Sequence, residues 1–119
     1  MKIEYSDENV TAEIEVVRAT VRMGLERTRM ISSIEDDPDA DAMFLFTRKI
    51  SYPSLVIASP TGTVKVGGST LTWPPTFDQF FDLPEELANR WFEAVQKLNP
   101  HWFQLPEIDE KKVSDASSA

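Results

Sequence analysis

Cysteine is absent from the sequence, and histidine occurs once, at His101. The first absence excludes disulfides and thiolate metal ligands, so nothing in the chain requires an oxidising compartment. With a single histidine, no Cys/His or multi-histidine metal site can form within one chain, and a Ser-His-Asp triad would have to use His101. That residue stands in Asn-Pro-His-Trp, a helix-stop segment, which suits a partly exposed side chain better than a general base. Only four glycines are present, Gly24, Gly62, Gly67 and Gly68, and they form no phosphate-cradling loop. Long hydrophobic runs are missing too: AMFLF and LVIA fall far below the roughly 18 residues that cross a bilayer. The N-terminal MKIEYSDENV has no apolar secretion core. The expectation is a cytoplasmic protein, in the host cell if viral, with no membrane span and no cofactor.

Positive charge is also scarce. Twelve Lys and Arg face 20 Asp and Glu, a net charge of −8, which opposes contact with nucleic-acid phosphates. The densest basic run, Arg18, Arg22, Arg27 and Arg29, is interrupted by Glu26, with Glu15 just before it. Nucleic acid is therefore not an expected partner. Hydrophobic residues make up 41% of the 119 and charged residues 27%, enough for one core but not two. We expect a single globular helical domain over residues 1–105. The polar stretch EIDEKKVSDASSA has too little to bury to offset its ordering entropy, so a flexible acidic tail is expected over residues 106–119.

Periodicity predicts an α+β fold, mainly α-helical. Residues from Asp7 to about Ser32 read as one long N-terminal amphipathic helix, with Val10, Ile14, Val17, Val21, Leu25 and Thr28 at steps of three and four. Ser6 or Asp7 would cap it, and Arg22/Glu26 and Glu26/Arg29 would pair on a solvated stripe. The rival reading is a strand over Val10–Val16, where apolar residues also alternate; the length of the later pattern favours the helix. In the acidic segment Glu35–Asp41, Asp37 can cap a second helix with Pro38 at its first position. A calcium loop there lacks the DxDxDG spacing, the turn glycine and the distal glutamate. AMFLF is apolar nearly all round, as in a central buried helix, and Pro53 should break or kink that helix near Ser51 before a short helical segment through Ser59.

From about 63 to 73 the period changes to two, and Gly67-Gly68 suits the tight turn of one short β-hairpin. Pairing across it puts Val64, Val66, Ser69, Leu71 and Trp73 on one face. Thr76 can cap a short turn through Phe81, and Pro84 opens a C-terminal helix over about 84–98. In that helix Leu87, Trp91, Ala94, Val95 and Leu98 share a face, and Glu86/Arg90 and Glu93/Lys97 can pair outside. Asn99-Pro100 ends it.

Adjacent carboxylates such as Asp36/Asp37, Glu85/Glu86 and Asp109/Glu110 could in principle share acid and base work. Each set has a structural use as a helix start or a solvated tail, so no enzyme is expected. The large aromatics offer a more balanced contest. All three tryptophans and five of seven phenylalanines lie between Trp73 and Phe103. They can build a core over the hairpin, or some can form a surface for a partner; Phe92, next to Trp91, cannot face the same way as its neighbour. The candidate surface residues are Phe92, Trp102 and Phe103, with Phe80 or Phe81 at the border.

VRATVRMGLERTRMI, YPSLVIAS and WPPTFDQFFDLPEELANRWFEAVQKLNPHWF resemble, in order and texture, segments of the tail assembly chaperones of long-tailed bacteriophages and prophages. The resemblance spans roughly residues 10–103. It implies a non-catalytic protein that binds the tape measure protein, or another phage tail protein, and keeps it soluble while tail subunits polymerise around it. It supplies no active site. The competing expectations are a structural head-tail or tail component and a small regulatory or anti-host interaction protein; a homo-oligomer is compatible with all of them.

Overall fold

The computed structural model describes residues 1–103, so the expected tail over 106–119 lies outside the described residues. The elements run β1 (Lys2–Ser6), β2 (Val10–Glu15), α1 (Val21–Ser33), α2 (Ala42–Phe46), a π-helical turn (Thr47–Ser51), α3 (Tyr52–Ile57), β3 (Thr61–Val66), β4 (Ser69–Thr70), α4 (Phe77–Phe81), α5 (Glu85–Leu98) and a 3₁₀ turn (Pro100–Trp102). The class is α+β, but the long N-terminal helix and the solitary hairpin are both overturned. Four strands form one antiparallel sheet in the order β1-β2-β3-β4.

The N-terminal correction has a simple cause. Val10 and Ile14 are four apart, and a step of four satisfies a period of two as well as a helical turn. In the folded chain Val10, Ala12, Ile14 and Val16 are buried while Thr11, Glu13 and Glu15 are exposed, the alternation of a strand with one face covered. Ile3 and Tyr5 pair with Ile14 and Ala12 across the first hairpin. Asp7 caps the turn of that hairpin and not a helix: its Oδ1 accepts from the amides of Asn9 and Val10, each at 2.7 Å. The helix begins only at Val21, where the Thr20 hydroxyl accepts the Met23 amide at 3.3 Å. The expected pairs Arg22/Glu26, Glu26/Arg29 and Glu93/Lys97 are not among the ion pairs of the described residues, whereas Arg90–Glu86 forms at 2.7 Å.

The central helix also differs from expectation. Asp41, not Asp37, caps α2, accepting the Phe44 amide at 2.8 Å; Asp37 accepts the Asp39 amide in the preceding turn. No residue of α2 is buried, and the buried stretch is Tyr52–Val56 in α3. Pro53 does not break the helix. The Tyr52 amide donates to the Thr47 carbonyl, five residues back, and this widened turn delivers the proline to the start of α3, where its missing amide costs no intrahelical bond.

A turn at Gly67 and Gly68, with φ of 57° and 84°, joins β3 to β4 as expected for a two-residue hairpin loop. The Leu71 amide donates to the Val64 carbonyl at 2.8 Å. Further along, Trp73 lies over Gly62, where an added Cβ would come within 2.5 Å of the indole. β3 also pairs with β2, placing Val64 opposite Ala12 and Val66 opposite Val10. α3 and α5 supply the second layer: Leu55, Leu87, Trp91 and Val95 join Ile3, Ile14, Val16 and Val64 in one core. The other sheet face, with Glu4, Thr11, Glu13, Thr63 and Lys65, is exposed. Arg90 guards edge strand β1 by donating to the Glu4 carbonyl at 3.2 Å, a device that discourages strand addition.

Candidate functional site

The aromatic side chains form a ladder that runs from half-buried Trp73 through the core to the exposed Phe81. Trp73 stacks on Trp91 with centroids 5.7 Å apart. Trp91 meets Phe80 edge-on at 5.9 Å, and Phe80 lies 5.5 Å from Tyr52. Tyr52 then meets Phe77 at 5.5 Å, and Phe77, Phe44 and Phe81 close a triangle with centroids 5.4–5.9 Å apart. These separations lie within the range where aromatic pairs contribute about 0.5–1.5 kcal/mol beyond area burial.

The inner part is fully bonded. Trp91 is 0% exposed, and its indole N–H donates to the Ser59 hydroxyl at 2.8 Å. The Trp73 indole donates to the Ser59 carbonyl at 2.9 Å. The Tyr52 hydroxyl donates to the Pro75 carbonyl, and burial raises its pKa, which preserves it as a donor. Among the described residues no buried side-chain polar atom lacks a partner, so the ladder is a stiff support.

At the outer end, α4 is set by a reciprocal cap: the Thr76 hydroxyl accepts the Gln79 amide at 3.2 Å, and the Gln79 side chain accepts the Thr76 amide at 2.9 Å. That cap holds Phe77 and Phe81 beside Phe44 of α2. Phe81 is 54% exposed, and Met43 and Phe46 on the outward side of α2 are 75% and 45% exposed. The Arg48 guanidinium sits 4.7 Å from the Phe77 centroid, and no carboxylate pairs with it among the described residues. Exposed Phe81 with half-buried Phe44, Phe77 and Arg48, together with the exposed Met43 and Phe46 of α2, has the aromatic, methionine and arginine composition of a protein-binding hot spot.

The five residues nominated from the sequence do not form one surface. Phe80 is 6% exposed and belongs to the core. Phe81 is at the open end of the ladder. Phe92 and Phe103 pack at 4.9 Å, and Arg27 lies 4.8 Å from the Trp102 ring and 6.0 Å from that of Phe103. Arg27 also donates to the Ser54 hydroxyl at 2.7 Å and to the Trp102 carbonyl at 3.3 Å. Its partial burial lowers its pKa. Phe92, Trp102 and Phe103 are thus half-buried around a clamp that fastens the end of the described chain to α1 and α3. No ring pair among the described residues joins them to Phe80 or Phe81.

Met43, Phe44, Phe46 and Arg48 were not identified from the sequence because AMFLF reads as buried. One signal was available: a helix of five residues cannot turn all five side chains toward one neighbouring layer. As for reaction chemistry, Asp36 pairs with Lys49 and Glu86 with Arg90, while Asp109/Glu110 lie outside the described residues. His101 is exposed beside Trp102. Among the described residues no three His, Asp or Glu side chains are grouped to hold a metal, and no helix is long and apolar enough to cross a membrane. Neither a family model, nor a curated protein, nor a solved structure matches the chain.

Proposed function

We propose that this chain is a non-catalytic tail assembly chaperone of the bacteriophage type, acting in the host cytoplasm, whose client is the tape measure protein or another tail protein. The observation that carries the reading is the exposed end of the aromatic ladder, Phe81 packed with Phe44 and Phe77, together with the exposed Met43 and Phe46 of the adjoining α2. A long helical client presents an apolar stripe, and a helix can lay such a stripe on an aromatic surface. Rings already held by the core lose little freedom on binding, which lowers the entropic cost of association. The net charge of −8 helps to keep the resulting complex in solution.

The test is co-expression with a candidate tape measure protein, followed by co-purification. Wild type should retain the client, and the triple variant Met43→Ser, Phe46→Ser, Phe81→Ser should retain at least about tenfold less, which corresponds to 1.4 kcal/mol. All three side chains are exposed, so the variant should keep wild-type circular dichroism. A folded variant that holds the client as well as wild type would refute the surface assignment. Failure of wild type to hold any tail protein would count against the chaperone reading itself.

A further inference from the structure

α1 has a second unpartnered surface. None of its 13 residues is buried. Met23, Arg27, Met30 and Ile31 are half-buried on its inner side, while Val21 is 84% and Leu25 is 54% exposed on the outer side. Arg22 and Arg29, seven residues apart, share that outer side and are also exposed. Neither has a carboxylate within ion-pair distance among the described residues. With Arg18, Arg27 and Glu26, residues 17–34 carry a net charge of +3 in a protein of net charge −8.

The complementary surface follows directly. Residues 35–41 carry five carboxylates and no cation. Asp36 is engaged by Lys49, Asp37 by the Asp39 amide and Asp41 by the Phe44 amide. Glu35 and Asp39 are exposed, and their carboxylates have no bonding partner among the described residues. The segment leads into α2, where Met43 and Phe46 face outward. One surface is therefore cationic with exposed aliphatic side chains, and the other is anionic with exposed apolar ones. Both lie on every copy, and the arginines of the first do not reach the carboxylates of the second within the chain.

We propose that a second copy of this chain docks here, with α1 of each copy laid against Glu35–Phe46 of the other about a two-fold axis. A two-fold axis forms both contacts at once and closes the assembly as a dimer. Arg22 and Arg29 meet Glu35 and Asp39 of the second copy, and Val21 and Leu25 cover its Met43 and Phe46. The same cations would suit nucleic-acid phosphate, but the −5 segment next to α1 repels it. A further consequence, resting on the proposed chaperone reading, is that dimer and client compete for α2, so that the dimer is the client-free form.

Sedimentation equilibrium of the full chain tests the dimer without any client. A species of twice the 13.5 kDa chain mass should form at low ionic strength and dissociate as salt rises. Arg22→Glu with Arg29→Glu should weaken it roughly tenfold or more, as should Glu35→Lys with Asp39→Lys. The four substitutions together should restore it to within about threefold of wild type, since both charge patterns are then reversed. A wild type that stays monomeric through the micromolar range, a dimer indifferent to salt, or a fourfold variant as weak as the pairs would overturn the proposal. Each of these results leaves client binding through Phe81 to be judged by its own experiment.

Discussion

The carboxylate of Asp7 accepts three hydrogen bonds, from the Tyr5 hydroxyl and from the amides of Asn9 and Val10. Together they hold its pKa below the usual 3.8, the tyrosine contributing most, and the same bond raises the pKa of Tyr5. A carboxyl with a depressed folded pKa adds stability that is present above its unfolded value and lost as pH falls through the folded one. Wild type should therefore be more stable than Asp7→Asn at neutral pH, with the gap in thermal midpoint narrowing below about pH 4. A gap that stays constant from neutral pH into acid would show that the charge of Asp7 contributes nothing. Sequence inspection identified Asp7 as a capping residue but assigned it the wrong element. An aspartate binds nearby amides equally well at a turn and at a helix start.

At the scale of the element, the β3–β4 hairpin and the π-turn show how much local pattern conveys. Gly67 and Gly68 were legible because positive φ is a local demand that few other residues meet. Gly62 was not, since its constraint comes from the Trp73 indole, 11 positions away and across the hairpin. Gly62→Ala should cost about 1–3 kcal/mol through overpacking, partly offset by about 0.4–1 kcal/mol of lost unfolded-state entropy. It should also loosen the Trp73 stack on Trp91 and its bond to Ser59. Urea unfolding measures the first effect and tryptophan fluorescence the second; an unchanged or higher midpoint would contradict the packing seen at this site. Pro53 carries a similar lesson. The rule that proline stops a helix assumes α-helical register, and one wider turn removes the conflict.

Across the whole molecule, the fold is closed by contacts between distant parts of the chain. Asn99 is fully buried at the end of α5; its Oδ1 accepts the Ala19 amide at 2.8 Å and its Nδ2 donates to the Val17 carbonyl at 3.1 Å. Those bonds, with the Arg27 clamp on Trp102 and Phe103, fasten the last helix to the crossing between β2 and α1. Asn99→Ala strands two backbone groups and should destabilise by about 2 kcal/mol, read as a shift in thermal midpoint with the folded spectrum retained. A loss below about 0.5 kcal/mol, the range of ordinary surface substitutions, would mean that water replaces the amide without cost. The candidate surface is assembled in the same way, from α2 and α4. These helices are separated in sequence by α3 and the β3–β4 hairpin, and they meet where Phe44 packs on Phe77 and Phe81, with Tyr52 of α3 against Phe77.

The sequence by itself determined what depends on composition or on a few neighbouring residues. The absence of cysteine, the single histidine, the Thr76 cap, the Gly67-Gly68 turn and the apolar face of α5 could all be read because their causes lie within about one turn of chain. The tertiary structure decided whether Val10–Val16 would be strand or helix. Ile3, Gly62 and Val64 supply the pairing partners across the sheet, and a spacing of four fits both periods. It also decided which aromatics would face water. Phe80 and Phe81 are neighbours of the same residue type in one helical turn, and the first is covered by Trp91 and Tyr52 while the second is left exposed. Burial depends on what other segments bring to a side chain, and one segment's periodicity cannot encode that.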